Sequence, residues 1–212
     1  MKNNKVFAFA MLSGVLLIPM MIGTAMLTYS IPYLWEKMFL SALGLTKLSD
    51  GTSNFFASMM FNGALLFGGI LSSAYFVFRA KCATSKIVHI LLWIAGITGG
   101  LALAGIGLLP YNLFPNLHNG CTWIASGGFA LGIFANAAAV RGSGTTHSEN
   151  ILLILFGMFA MLIWLALQYL RTHGMLPSVP TGPIQQKIII LYFWLYMFWN
   201  SLQLYCMTRR KQ

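Results

Sequence analysis

The sequence predicts an all-α integral membrane bundle of six transmembrane helices, built as a single domain over residues 1–212. Three observations carry that expectation. Six apolar stretches, each near the length of about 20 residues that a helix needs to cross hydrocarbon, contain no Asp, Glu, Lys or Arg. Only 8% of the chain is charged, against about 25% in ordinary soluble domains. The basic residues that do exist sort into two sets when the chain is threaded back and forth six times. Strand alternation is absent, and an isolated strand in lipid would leave its backbone polar groups unpaired, so the spans are helices.

The predicted spans are Val6–Ile31, Phe55–Phe78, Ile87–Leu109, His118–Val140, Ile151–Leu170 and Ile188–Met207. The first follows Lys2 and Lys5 as a signal peptide would. Its apolar run is too long for one and lacks a small-x-small cleavage site, so it reads as a span. The second to fourth carry stripes of small residues four apart: Ala64, Gly68 and Ser72; Gly96, Gly100 and Ala104; Gly128, Gly132 and Asn136. Such stripes let helix backbones approach closely, which matters where lipid supplies no hydrophobic force between helices. The sixth span is crowded with aromatics, among them Tyr192, Phe193, Trp194, Tyr196 and Trp199. Those near its middle either face lipid or line an apolar pocket.

A net charge of +10 is of the sign that nucleic acid attracts, but its distribution points to topology. Lys2, Lys5, Arg79, Lys81, Lys86, Arg141, Arg209, Arg210 and Lys211 fall on one side, and Lys37, Lys47, Arg171 and Lys187 on the other. By the positive-inside rule both termini are cytoplasmic. The surplus implies contact with anionic headgroups and no nucleic-acid partner. Cys82 and Cys206 fall at the inner face and Cys121 near the outer one, so no external pair is available for a disulfide.

The loops add detail. In the first outer loop Trp35, Met38, Phe39, Ala42 and Leu43 recur at helical spacing, with Glu36, Lys37 and Ser41 between them. That pattern predicts a short amphipathic helix from Pro32 to Gly44, lying in the outer interface or folded over the mouth of the bundle. The third loop, Leu109 to Asn119, has two prolines and is apolar, so it is expected to be rigid.

Candidate functional groups gather toward the outer end. His118 opens the fourth span beside Asn119, and an imidazole can serve as acid, base, ligand or donor to a phosphate. Its structural alternative is to tie down the preceding loop. Asn62, Asn200 and Gln203 are amides at membrane depth, where buried polar groups need partners. The candidate ligand-binding set is His118, Asn119, Asn112, Asn62, Trp35 and Phe39. No metal site and no cofactor are expected, because no two of His118, His173, Glu36 and Asp50 share ligand spacing on one helix. His89 and His118 stand at opposite faces, about 30 Å apart across the hydrocarbon.

Several short motifs resemble a known family. Ser41-Ala42-Leu43-Gly44, Phe61-Asn62-Gly63, Gly107-Leu108-Leu109-Pro110, Leu117-His118-Asn119 and the pair Gln186-Lys187 together resemble the prokaryotic six-helix membrane family of unknown function that is distantly similar to the eukaryotic DRAM/SFK/Frag proteins. The resemblance implies a six-helix bundle with ordered outer loops, and carries His118 and Asn119 over as outer-face candidates. Its eukaryotic members are associated with lipid asymmetry, phosphoinositide-kinase recruitment, lipid-anchor remodelling and autophagy. Family members tend to have an acidic residue where this chain has Ala42.

These readings converge on a non-enzymatic protein of a bacterial inner membrane that binds or organises lipid, or another apolar ligand, at the outer end of the bundle. Membrane lipids are the expected partners; a second copy of the chain or another membrane protein stays open. Two other functions are weighed beside it. One is a lipid-modifying enzyme with His118 as general base, assisted by Asp50 or Glu36. The other is a transporter or channel, which the absence of charged midplane groups disfavours.

Overall fold

In a computed structural model the described residues are 2–141, Gly157, Ala166, Leu170, Gly174, Met175 and 182–210. They form an all-α structure with helices α1 (Lys2–Leu27), α2 (Phe55–Lys81), α3 (Lys86–Leu108), α4 (Pro115–Arg141) and α5 (Gly182–Arg210). All five are long and apolar enough to cross a membrane. At 1.5 Å per residue they are about 35–45 Å long, compatible with a multi-pass integral membrane protein. They correspond to five of the six predicted spans. The other, Ile151–Leu170, lies outside the described residues but for Gly157, Ala166 and Leu170, and His147 and His173 lie outside them too.

The side-chain distribution is the reverse of a water-soluble protein's. Large apolar residues face outward along every helix, including Val6 (65% exposed), Met20 (67%), Ile70 (57%), Leu101 (63%) and Trp123 (64%). The helix–helix contacts are made instead by small residues. A Cβ on Gly69 would lie 2.5 Å from the Ala104 nitrogen, and one on Gly128 would lie 2.5 Å from Gly99 Cα. The small-residue stripes are buried, and the tightest contact of α2 falls on Gly69, one residue beyond its stripe. Helix α2 packs against α3 and α3 against α4, while α1 lies between α2 and α5. Phe129 of α4 meets Phe193 of α5 with ring centroids 5.2 Å apart, which brings the last helix back toward the fourth.

The aromatics of α5 therefore face inward in large part. Tyr192 and Tyr196 are buried in the core with Met11, Tyr75, Phe76 and Ile133. Trp194 serves the backbone of another helix. Pro19 inside α1 has no N–H to offer the carbonyl four residues earlier, that of Val15. The Trp194 indole N–H donates to that carbonyl at 2.8 Å. A neighbouring helix thus repairs the one hydrogen bond that the proline removes.

Helix directions place both ends of the chain at one face of the bundle, the termini face, and the 28–54 and 109–114 loops at the other, the loop face. The expected amphipathic α-helix in the first loop is corrected by the structure. Residues 35–37 form a turn, and Leu40–Gly44 is a single 3-10 helix with Leu40, Leu43 and Gly44 buried. The reason is competition for the backbone. Leu40 N–H donates to Gln186 Oε1 at 2.7 Å. The carbonyls of Leu43 and Leu45 accept from Asn54 Nδ2 at 3.1 and 2.8 Å, and that of Gly44 accepts from Asn62 Nδ2 at 3.1 Å. Backbone groups taken by side chains of α5, the α2 cap and α2 are not available to continue an α-helix.

Candidate functional site

The loop face is a cap pinned by amides. Asn54, 1% exposed, precedes α2. Its Nδ2 holds the Leu43 and Leu45 carbonyls while its Oδ1 accepts from the Ser30 amide (3.4 Å) and hydroxyl (3.3 Å). It therefore ties the start of the loop to its middle. Beyond it, Leu48 N–H donates to the Thr52 carbonyl (2.9 Å) across a turn at Gly51, whose φ of +85° favours glycine. Asp50 accepts from the Thr52 amide at 2.9 Å, and this bond holds its carboxyl below the ordinary value of 3.8.

The second loop is joined to the first. Asn112 Nδ2 donates to Thr46 Oγ1 at 2.9 Å, and the Thr46 amide donates back to Asn112 Oδ1 at 3.2 Å. His118 is buried at the start of α4; its Nδ1 donates to the Leu109 carbonyl at 2.8 Å, and its ring meets Tyr111 edge-on at 5.6 Å. Since a carbonyl only accepts, that contact requires the proton on Nδ1. His118 thus ties the end of α3 to the beginning of α4. Asn119 beside it is exposed.

Lys187 completes the cap. Although a lysine, it is 5% exposed. Its Nζ donates to the Met38 carbonyl and, at 3.3 Å, to the Pro183 carbonyl. It also stands 5.0 Å from the centre of the Trp35 ring and 5.5 Å from that of Tyr33, within the range of a cation–π contact. Burial raises the pKa of the Tyr33 and Tyr29 phenols, which stay neutral. The Tyr33 hydroxyl donates to the Met38 carbonyl at 3.1 Å.

Of the six sequence candidates, the structure brings Asn62, Asn112 and His118 into the hydrogen-bonded frame of the cap. Trp35 (52% exposed) and Phe39 (48%) lie on its outer surface. Asn54, Gln186 and Lys187 carry the frame with them. Asn54 left no mark in the sequence beyond an Asn ahead of an apolar run, the ordinary signature of a helix cap.

A second polar cluster lies at the opposite end, inside the bundle. The Arg79 guanidinium donates from Nε to Asn136 Oδ1 at 2.6 Å. Asn136 Nδ2 lies 2.7 Å from the Tyr196 hydroxyl and 3.2 Å from both Asn200 Oδ1 and the Tyr75 hydroxyl. The Tyr75 hydroxyl donates to Asn200 Oδ1 at 2.9 Å, and Asn200 Nδ2 donates to the Tyr196 carbonyl at 2.8 Å. Tyr75, Asn136, Tyr196 and Asn200 are all buried. In the sequence these residues carry unrelated signals: a topology-marking arginine, the end of a small-residue stripe, two aromatics and an amide. Helical spacing does mark Tyr196 and Asn200 (i, i+4) and Tyr75 and Arg79 (i, i+4) as neighbours.

No family model, curated protein or solved structure matches this chain.

Proposed function

We propose that this chain is a non-catalytic integral membrane protein that binds or organises lipid at the loop face of its bundle. It would belong with the prokaryotic six-helix family whose motifs it resembles. In this reading Ile151–Leu170 is a further span, fifth of six in chain order, both termini are cytoplasmic, and the loop face looks out of a bacterial inner membrane. Lys81 and Lys86 at the termini face support that orientation.

One observation carries the lipid reading. The cap spends its polar groups internally and presents apolar ones outward. Asn54, Asn62, Asn112, Gln186, Lys187 and His118 are bonded to loop backbone or to each other's loops. Trp35, Phe39, Phe55, Phe56, Leu113 and Phe114 are each at least 44% exposed. A rigid apolar surface at the level of the headgroups suits acyl chains and glycerol backbones, with Trp35 in the position favoured by interfacial aromatics. The burial of His118 and its bond to the Leu109 carbonyl give it a scaffold role, tying α3 to α4.

Native mass spectrometry of protein extracted with its membrane lipids tests this. The wild type should retain phospholipid through mild activation, and the double variant Trp35→Ser, Phe39→Ser should lose most of it while keeping its helix content. Equal lipid retention in the two proteins would exclude the loop face as the binding surface.

A further inference from the structure

The cluster around Arg79 has more donors than acceptors. Among its hydrogen bonds every amide oxygen is used: Asn136 Oδ1 accepts from Arg79, and Asn200 Oδ1 accepts from Tyr75 and Asn136. The unused capacity lies in hydrogens. The Tyr196 hydroxyl accepts from Asn136, and its own O–H has no acceptor among the described residues. Among the described residues Arg79 uses one of its five N–H groups, that on Nε, so toward them its two Nη nitrogens are unspent. A buried polar group without a partner costs about 1–3 kcal/mol, so a surplus of one kind in one place calls for a ligand of the other kind.

The charge balance points the same way: the chain carries 13 Lys and Arg against 3 Asp and Glu. Of the three carboxylates, Glu36 and Asp50 stand in the 28–54 loop at the far end of the bundle, and Glu149 lies outside the described residues. Arg79 is partly buried in the last turn of an apolar helix with an amide for company and no counter-ion among those residues. A charged side chain at such depth is normally paired. Its planar Nη edge is the geometry that takes two oxygens of a phosphate side by side.

We infer that Arg79, with the hydroxyl of Tyr196, forms a binding site for a phosphate group at the termini-face end of α2, α4 and α5, positioned by Asn136. Asn136 sets the site because it touches both: its Oδ1 fixes the guanidinium and its Nδ2 orients the Tyr196 hydroxyl so that the phenol proton points away from the amide. The phosphate can be that of an anionic phospholipid entering from the adjacent leaflet or a free phosphate from solution. This site lies at the end opposite the loop face and does not depend on lipid binding there.

The test uses the full chain in detergent and reads thermal stability against three probes: phosphatidylglycerol, phosphatidylcholine and inorganic phosphate. Phosphatidylglycerol should raise the melting temperature more than phosphatidylcholine if the headgroup is the ligand, and inorganic phosphate should do so if the ligand is soluble. Arg79→Gln should weaken the effective probe about tenfold or more, as loss of a charge-assisted bond does. Tyr196→Phe removes the O–H alone and should weaken it several-fold, and Arg79→Lys, which keeps the charge but not the fork, should fall between wild type and Arg79→Gln. If Arg79→Gln does not fold, Tyr196→Phe and Arg79→Lys decide. A melting temperature that responds to none of the probes overturns the inference, and so does an equal response in wild type and folded variants.

Discussion

The bond between Trp194 and the Val15 carbonyl makes a sharp prediction, because its cause is a single missing hydrogen. Pro19 leaves the Val15 carbonyl without its helical donor, and the Trp194 indole takes that place at 2.8 Å. Val15 is 1% exposed, so neither water nor lipid offers a substitute donor. Trp194→Phe keeps an aromatic ring but removes the N–H. Interhelical hydrogen bonds in membranes are worth about 0.6 kcal/mol on average and up to about 1.7, and an orphaned buried carbonyl adds to that, so the expected loss is about 1–2 kcal/mol. The smaller ring also costs packing, which would confuse a single mutant. Pro19→Ala resolves this by restoring an N–H aimed at the same carbonyl. In the Pro19→Ala background, Trp194→Phe should cost less by about 1 kcal/mol, since packing loss is common to both backgrounds and cancels. The free energies can be measured by titrating SDS into mixed micelles and following helix content by circular dichroism. An equal cost of Trp194→Phe in both backgrounds, within about 0.3 kcal/mol, would refute the repair.

Three further outcomes follow from the packing and the cap. A Cβ on Gly128 would meet Gly99 Cα at 2.5 Å, whereas one on the adjacent Gly127 meets nothing within 4 Å. Gly128→Ala should therefore destabilise by about 1–3 kcal/mol, while Gly127→Ala should be neutral or gain up to about 1 kcal/mol; similar melting temperatures for the two variants would contradict the α3–α4 contact. Asn54→Ala removes the donor to the Leu43 and Leu45 carbonyls, and hydrogen exchange across residues 40–46 should accelerate while α2 stays protected. Unchanged exchange there would mean that the cap does not depend on Asn54. The Asp50 carboxyl is held low by the Thr52 amide, so this bond supports the loop at neutral pH and is lost only as pH falls through a midpoint below 3.8. The amide shift of Thr52 against pH gives that midpoint, and a value above 3.8 would refute the assignment.

The helices were legible because the membrane imposes one simple demand, long charge-free runs with internally satisfied backbones, and composition reports it directly. The small-residue stripes were legible for the same reason, since close backbone approach needs small residues, and glycine alone allows the one seen between Gly128 and Gly99. What escaped was set by partners distant in sequence. The periodicity of Trp35, Met38, Phe39 and Ala42 is real, yet the helix it foretold is replaced because Asn54, Asn62 and Gln186 take its backbone groups. The inward role of Trp194 depends on a proline in the first helix, at the other end of the chain, and the role of Asn136 on two other helices. For His118 the position was legible and the role was not. Spacing located it at the head of α4, and only the Leu109 carbonyl fixes what its ring does.

The two polar regions of this bundle differ in how their hydrogen bonds balance, and that difference bears on function more than the residue types do. At the loop face the hydrogen bonds of the cap run in both senses. Amide and ammonium groups meet loop carbonyls, Gln186 meets an N–H, and Asn112 and Thr46 satisfy each other in both directions. Such a set can present an apolar surface at little cost, as Trp35 and Phe39 show. Near the termini face the amide oxygens are consumed and, among the described residues, hydrogens are left over on Arg79 and Tyr196. A fold stabilised only by packing would gain by replacing such a cluster with apolar residues of similar volume, since half-satisfied buried networks destabilise. Its surplus is of one sign and one kind, which is the condition for recognising an anion.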